Sequence, residues 1–438
     1  VLTLRRKFET FFEFKELGTN WRTETLAGLT TFLTMAYIIF VNPAILHDAG
    51  MPLAAVTAAT CFSAAFASLL MGFFARYPIA LAPGMGINAY FTYTVVKGMG
   101  IPWQTALGAV LISGVAFLLL TVFGIRQLII GAIPQELYAS VAAGIGLFIA
   151  LIGFRNSGII EANPQTTVAL GNLKQPDTLL AIFGLVLTGG LMARGVKAAM
   201  LIGILGTTVA AAAFGMVHWH PQSLHWADVG ATVLKLDVRS VLRLGFLEII
   251  FVFLFVDLFD NIGTLIGVTK KAGLIDKHGH IPRLERILFA DASATIVGSL
   301  AGTSTVVSYI ESAAGITAGG RSGFTAVVVG LLFLGALFVT PVAGIIPSAA
   351  TAPALIIVGG LMVSAVAEIP WSDPVLALPA FLTMAAIPLT YSIGTGIAFG
   401  FITYTLLKVV RGEWRTVSWL VYLLTALFIA RFVYLSNA

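Results

Sequence analysis

Charged residues are scarce in this 438-residue sequence: Asp, Glu, Lys and Arg together account for 10% of it. Soluble domains carry about 25%, so the length does not signify several water-soluble domains. Cysteine is nearly absent, with Cys61 alone inside an apolar stretch, which excludes an intrachain disulfide. The six histidines fall in expected loops or at the edges of apolar segments, so no metal cluster is placed inside one. His218-Trp219-His220 with His225 could hold a metal, but a plain loop is the simpler reading. No nucleotide-binding P-loop occurs, and Gly84-Met85-Gly86 lacks the βαβ setting of a dinucleotide fingerprint. ATP drive within the chain and a bound cofactor are therefore not expected. The segment Val1–Glu24 has no short apolar core with a small-residue cleavage site, so a cleaved signal peptide is not expected either.

What the sequence has instead is apolar residues, at 58%. A membrane helix needs roughly 20 of them in a row. Such stretches are read near 25–46, 52–75, 78–97, 103–123, 137–154, 178–194, 197–217, 244–268, 286–301, 304–318, 324–345, 353–367, 375–390 and 391–410, with a further apolar segment at 417–436. The expectation is an all-α polytopic membrane protein of about 14 spans in a lipid bilayer. The net charge of +5 comes from bases at span ends, where it marks orientation and not nucleic-acid binding. Arg5, Arg6, Lys7, Lys15 and Arg22 precede the first span, and Arg76, Arg126, Arg194, Lys197, Lys270, Lys271, Lys277, Arg283, Arg286, Arg321, Lys408, Arg411 and Arg415 fall on the same side. That side, and with it the N-terminus, is expected to be cytoplasmic.

The chain repeats itself. Gly131, Ile133, Pro134, Ala139 and Gly146 match Gly344, Ile346, Pro347, Ala352 and Gly359, each set following one long apolar span and preceding two more. An odd number of spans per copy would make the copies inverted, which is a transporter device. Two spans are expected to be broken. The stretch 78–91 holds Pro78, Pro83, Gly84 and Gly86, and 302–320 opens with Thr, Ser and Val before turning helical near Tyr309. Irregular backbone at membrane depth lines a cavity or is buried in protein. Broken helices at corresponding places in two repeats point to a binding site.

Acids inside the spans are few: Asp257, Asp260, Asp291 and Glu311, with Glu248 near a span end where it could snorkel. Neither 249–269 nor 287–320 contains a Lys or Arg, so these acids have no cation in their own spans. An intramembrane acid is a functional candidate by default. Asp257 and Asp260 share roughly one helical face, and Gly263 beyond them allows close backbone approach. Two carboxyls facing one cavity suit a ring with N–H donors and acceptor nitrogens, such as a purine base. Tyr90, Phe91, Phe259 and Tyr309 could sandwich such a ring. Asp257 could instead bond helix ends, Asp291 could serve packing or a proton path, and Asn88 is either a polar knot holding the break or a ligand contact.

The residues resemble the AzgA-like adenine/guanine/hypoxanthine permeases of the nucleobase–cation symporters. The resemblance runs from Phe11 to the end, on FKELGTNWRTETLAGLTTFLTMAYIIFVNP (14–43), ARYPIALAPGMGINAYF (75–91), GIIEANPQTTVALGNL (158–173), LFDNIGTLIGV (258–268) and YIESAAGITAGGRSG (309–323). It implies two inverted seven-span repeats forming core and gate domains, with short extended segments in broken spans 3 and 10. On this sequence that gives a cytoplasmic segment 1–24, a core of 25–123 and 244–345, a gate of 124–217 and 346–410, an extracellular loop 218–243 and a C-terminal apolar segment 411–438. It implies import of a purine nucleobase by proton symport across the cell membrane, with no enzyme activity. Substrate contact carries over to Gly86, Asn88, Asp257, Asp260 and Glu311, with Phe259 and Tyr309 beside them, and proton coupling to Asp257, Asp260 or Glu311. Proteins of this fold place a carboxylate four residues before a polar side chain with Gly between, and Asp260 and Thr264 around Gly263 match that, so the resemblance favours Asp260 over Asp257 for the base. Proteins of this kind are commonly homodimers through the gate domain. The same fold carrying a pyrimidine or an anion is the alternative. A membrane enzyme or a channel fits less well, since no nucleophile–base pair lies in the spans.

Overall fold

The computed structural model describes residues 2–217, 230–241, 247–274, 281–340 and 344–434. His218, Trp219, His220, His225 and Lys277 lie outside these residues, as do the side chain of Glu248 and the surroundings of Gly263.

Eight helices among the described residues are long and apolar enough to cross a membrane: Trp21–His47, Leu53–Ala75, Trp103–Val122, Gln135–Asn156, Pro176–Ala193, Ile249–Thr269, Ser348–Glu368 and Ile393–Val410. Shorter apolar helices are Ala199–Ala213, Gly323–Ala336, Pro374–Thr390 and Trp419–Val433. With Leu284–Ala301 and the two broken spans, the fourteen expected segments and the extra C-terminal one are each in place. Proline sets many of the starts. Pro52, Pro102, Pro134 and Pro347 are N-caps, and Pro176 and Pro374 open their helices. There the missing N–H costs nothing, because the first turn has no intrahelical acceptor for it.

Four short strands occur among the described residues: β1 (Leu81–Pro83), β2 (Ile160–Asn163), β3 (Thr167–Leu170) and β4 (Val306–Ser308). β1 and β4 are the extended halves of the two broken spans. They pair antiparallel, with Leu81 opposite Ser308, Ala82 opposite Val307 and Pro83 opposite Val306. Further bonds run from Gly84 N–H to Thr305 O (3.0 Å) and from Tyr309 N–H to Ala80 O (2.9 Å). Each strand thus satisfies backbone groups that would otherwise be stranded at membrane depth. β2 and β3 form a largely exposed hairpin that the sequence reading did not contain. Its turn is made by the Asn163 side chain, which accepts from the N–H groups of Gln165 (2.8 Å) and Thr166 (3.1 Å).

The repeat is visible in the packing. The repeat-matched glycines Gly146 and Gly359 lie against each other where helices Gln135–Asn156 and Ser348–Val363 cross. A Cβ on Gly146 would stand 2.6 Å from Gly359 O. Mates from the two repeats therefore meet twice, at this crossing and at the β1–β4 pair, as an inverted repeat about a pseudo-twofold axis requires. Two packing groups follow. In one, Leu53–Leu70 and Trp103–Val122 pack on Leu284–Ala301 and Gly323–Ala336; in the other, Gln135–Asn156 packs on Ser348–Val363 and Pro374–Thr390.

The C-terminal helix Trp419–Tyr434 runs back along Ile393–Val410. Thr405 bonds Thr425 (2.8 Å), and the rings of Phe401 and Phe428 (5.7 Å) and of Phe399 and Phe432 (5.6 Å) pair in antiparallel order. It therefore shares the depth of the fourteenth span.

Candidate functional site

The strand pair delivers two helix starts to one place. Met85–Ala89 follows β1 and continues as wider helix through Gly98, and Ser312–Thr317 follows β4. Glu311 stands immediately before the second of these helices. The first span is interrupted between Met35 and Ile38, and Tyr37 at that interruption donates its hydroxyl to Glu311 Oε1 at 2.6 Å. One oxygen of Glu311 is thus fixed, while the residue stays half-buried beside Ile310, which is 59% exposed.

The eighth span, within Leu247–Ala272, turns its two acids to different surroundings. Asp260 is half-buried, and its Oδ2 lies 3.4 Å from where a Cβ on Gly84 would stand, so it faces the end of β1. Asp260 and Glu311 are near enough to feel each other's charge. Asp257 is buried and interacts with Asp291, Arg126 and Asp260, and Asp260 in turn also faces Asp291. Thr264, one turn beyond Asp260, is also half-buried.

The other expected residues are placed as follows. Asn88 is fully buried, donates its amide to Asn42 and accepts the hydroxyl of Ser304. Asn42 in turn donates to Thr60 (2.7 Å) and Thr303 (3.0 Å). These are the bonds of a polar knot tying the two broken spans to the first and second spans. Tyr309 is buried, and its hydroxyl donates to Pro83 O at 2.6 Å, stapling β4 to β1. Gly86 lies so close to Ile145 of the fifth span that a Cβ would collide with it. Phe259 is buried against Tyr138 (4.8 Å) and Phe401 (6.1 Å), joining the eighth span to the fifth and fourteenth. Tyr90 and Phe91 both pack on Phe253.

Two readings are corrected. Arg126, taken as a loop base marking orientation, is fully buried and pairs with Asp291 at 3.0 Å. Asp291 therefore does have a cation, supplied by the connection after the fourth span. The apolar run on both sides of Arg126, from Val122 to Ala132, is the signal that it sits at depth. Glu24, expected at the end of the cytoplasmic segment 1–24, is fully buried. It accepts from the backbone N–H groups of Arg321 (2.9 Å) and Ser322 (3.2 Å) and from the hydroxyl of Thr325 (2.5 Å). It thereby caps the start of the helix Gly323–Ala336 from another span. Tyr37 and Asn42 were missed as well; polar side chains inside apolar runs marked both.

Chemically, the junction offers carboxyl oxygens from Asp260 and Glu311 to a ligand with N–H donors. Among the described residues no group of three or more His, Cys, Asp or Glu is arranged to hold a metal ion.

A sequence profile of the permease family that includes the xanthine/uracil permeases matches residues 22–426. The chain is 46% identical to the adenine permease AdeP of Escherichia coli, over 98% of this chain and 96% of that one. It is 47% identical to the guanine/hypoxanthine permease PbuG of Bacillus subtilis, over 98% of this chain and 100% of that one. Among solved structures, the transmembrane domain of the cyanobacterial bicarbonate transporter BicA superposes with a TM-score of 0.65 at 15% identity, covering 87% of this chain and 97% of that one. At that identity the likeness concerns the fold alone.

Proposed function

The chain belongs to the xanthine/uracil permease family, and from that premise we propose that it imports purine nucleobases by proton symport. The observation that carries the reading is the pair of half-buried carboxyls, Asp260 and Glu311, at the one junction where both broken spans turn helical. A purine presents N–H donors and ring acceptors along one edge; a carboxyl accepts from the first and, when protonated, donates to the second. The names of AdeP and PbuG point to the same ligand class. An anion is the poorer fit despite the fold shared with a bicarbonate transporter, because an anion site wants an arginine or bare N–H groups in place of two acids.

In this reading the packing group around Leu284–Ala301 is the core that carries the base, and the group around Gln135–Asn156 is the gate. Gly86 against Ile145, and Phe259 against Tyr138 and Phe401, lie on the surface between them. Alternating access moves one group against the other. Binding drives that motion only through its differential affinity for the two states. The N-terminus is cytoplasmic, by the excess of bases on its side of the membrane.

The test is uptake of labelled adenine, guanine, hypoxanthine and uracil in cells lacking their own purine carriers, with and without a protonophore. Purines are expected to accumulate, uracil not, and protonophore to abolish accumulation. A well-expressed protein that takes up no purine would sink the reading.

A further inference from the structure

The largest fully buried side chain among the described residues is a charged one, Arg126. It stands in the short helix Ile125–Ala132 that follows the fourth span. Its guanidinium lies over the Phe117 ring at 3.7 Å, donates to Leu288 O at 3.2 Å and pairs with Asp291 Oδ2 at 3.0 Å. Both partners of that ion pair are 0% exposed. A buried pair persists only when its charges balance and its remaining atoms are satisfied. Within the pair the charges balance, but its remaining atoms are not all satisfied.

Asp257 is buried beside it and interacts with both of its members. Asp257 Oδ1 and Arg126 Nε have no hydrogen-bond partner among the described residues, and Asn261, one turn beyond Asp257, reaches Asp291. Orphaned buried polar atoms are rare and call for a reason. With Asp257 added, the charges do not close either. One guanidinium faces two carboxyls, and the hydrogen bonds it makes go to Asp291 and Leu288, leaving Nε unused. Among the described residues the other titratable groups facing this cluster are Asp260 on the same helix and Tyr138 on the fifth span; Glu311 on the tenth span faces Asp260. None adds a cation. The cluster is therefore electroneutral when one acid carries a proton, and Asp257 is the acid that Arg126 does not hold.

We propose that Arg126, Asp291 and Asp257 form the site of the transported proton, bound at Asp257 apart from the base-binding carboxyls Asp260 and Glu311. This rests on the symport reading and assigns its two cargoes to two acids of the eighth span, one turn apart. Arg126 and Asp291 are positioning residues in this arrangement. The guanidinium keeps ionised Asp257 tolerable after the proton leaves, and Asp291 prevents Asp257 from closing a permanent ion pair with Arg126.

The test separates exchange of base from gradient-driven accumulation, using purified protein in liposomes with labelled hypoxanthine. Asp257→Asn mimics the permanently protonated acid. Asp291→Asn leaves Arg126 and Asp257 as a neutral pair that needs no proton. Both variants are expected to exchange internal for external base and to lose accumulation driven by an imposed pH gradient. The double variant Arg126→Met/Asp291→Leu removes one charge of each sign and is expected to behave in the same way. A merely structural role would lower exchange and accumulation together. Gradient-driven accumulation at the wild-type ratio in Asp257→Asn or Asp291→Asn overturns the proposal, as does parallel loss of both activities in all three variants. Wild-type protein that exchanges base but ignores the gradient also overturns it, while leaving base transport standing. Wild-type protein that neither exchanges nor accumulates any purine overturns the transport reading itself.

Discussion

Replacing Tyr37 by Phe removes one oxygen and leaves the ring in its buried place in the first span. That oxygen donates to Glu311 Oε1 at 2.6 Å, the length of a charge-assisted O–H···O bond. Hydrogen bonds to charged groups contribute about 1.5–3 kcal/mol, equivalent to about 10- to 150-fold in an equilibrium constant. The bond orients the carboxyl that the account assigns to the base. Its loss should therefore weaken base binding more than folding, because Glu311 is half-buried and is not sealed in the core. The assay is initial-rate uptake of labelled purine across a concentration series, with membrane expression measured in parallel. The expected result is normal expression and a KM raised by at least about tenfold, with a smaller change in the maximal rate. An unchanged KM would refute the view that Glu311 holds the base in the orientation seen here.

Other consequences follow from particular contacts. Gly146→Leu or Gly359→Leu puts a side chain where helices cross backbone to backbone; overpacking costs about 1–3 kcal/mol or more, and the yield of folded protein in fluorescence-detected size exclusion should fall. Normal yield from both variants would count against the crossing. Glu24→Ala strands the N–H of Ser322 and the hydroxyl of Thr325 in a buried setting, a loss of about 2–6 kcal/mol, and should lower the thermal midpoint in detergent markedly more than Glu24→Gln does; equal effects would show that capping is not its role. Arg411 bonded to Asp373, and Lys408 bonded to Glu413, hold both half-buried carboxyls below the usual carboxylate range. With folded values depressed, their contribution is present above about pH 4 and is lost as pH falls through the lowered values. The midpoint of Asp373→Asn should accordingly fall less steeply than wild type on acidification below about pH 4, and parallel curves would contradict this.

Much of the fold was legible because a membrane imposes a simple rule. Long apolar runs must be helices, and prolines such as Pro134 and Pro347 mark where they start. The matched glycines were legible too, and Gly146 and Gly359 meet for the reason they match, as equivalent points on two inverted copies. The breaks at 81–83 and 306–308 could be read from Pro83 and from the β-branched run at Val306. Long-range pairing was not legible. Nothing near Glu311 in sequence names Tyr37, and nothing near Asp291 names Arg126, because each bond spans a large part of the chain. Arg126 was misread for a second reason. Basic residues between spans are usually topological, and only its burial distinguishes it from Arg76, which is partly exposed. Asn88 carried two readings, and its bonds to Asn42 and Ser304 could be seen only in three dimensions.

The central claim is that a proton gradient drives purine accumulation through a site containing Asp260 and Glu311. Its most direct test is purified protein in liposomes with an imposed pH gradient and labelled adenine, guanine or hypoxanthine, comparing wild type with Glu311→Gln. The account predicts that wild type concentrates at least one purine until the gradient is collapsed, and that the variant does not. Accumulation by Glu311→Gln at the wild-type rate and affinity would contradict it.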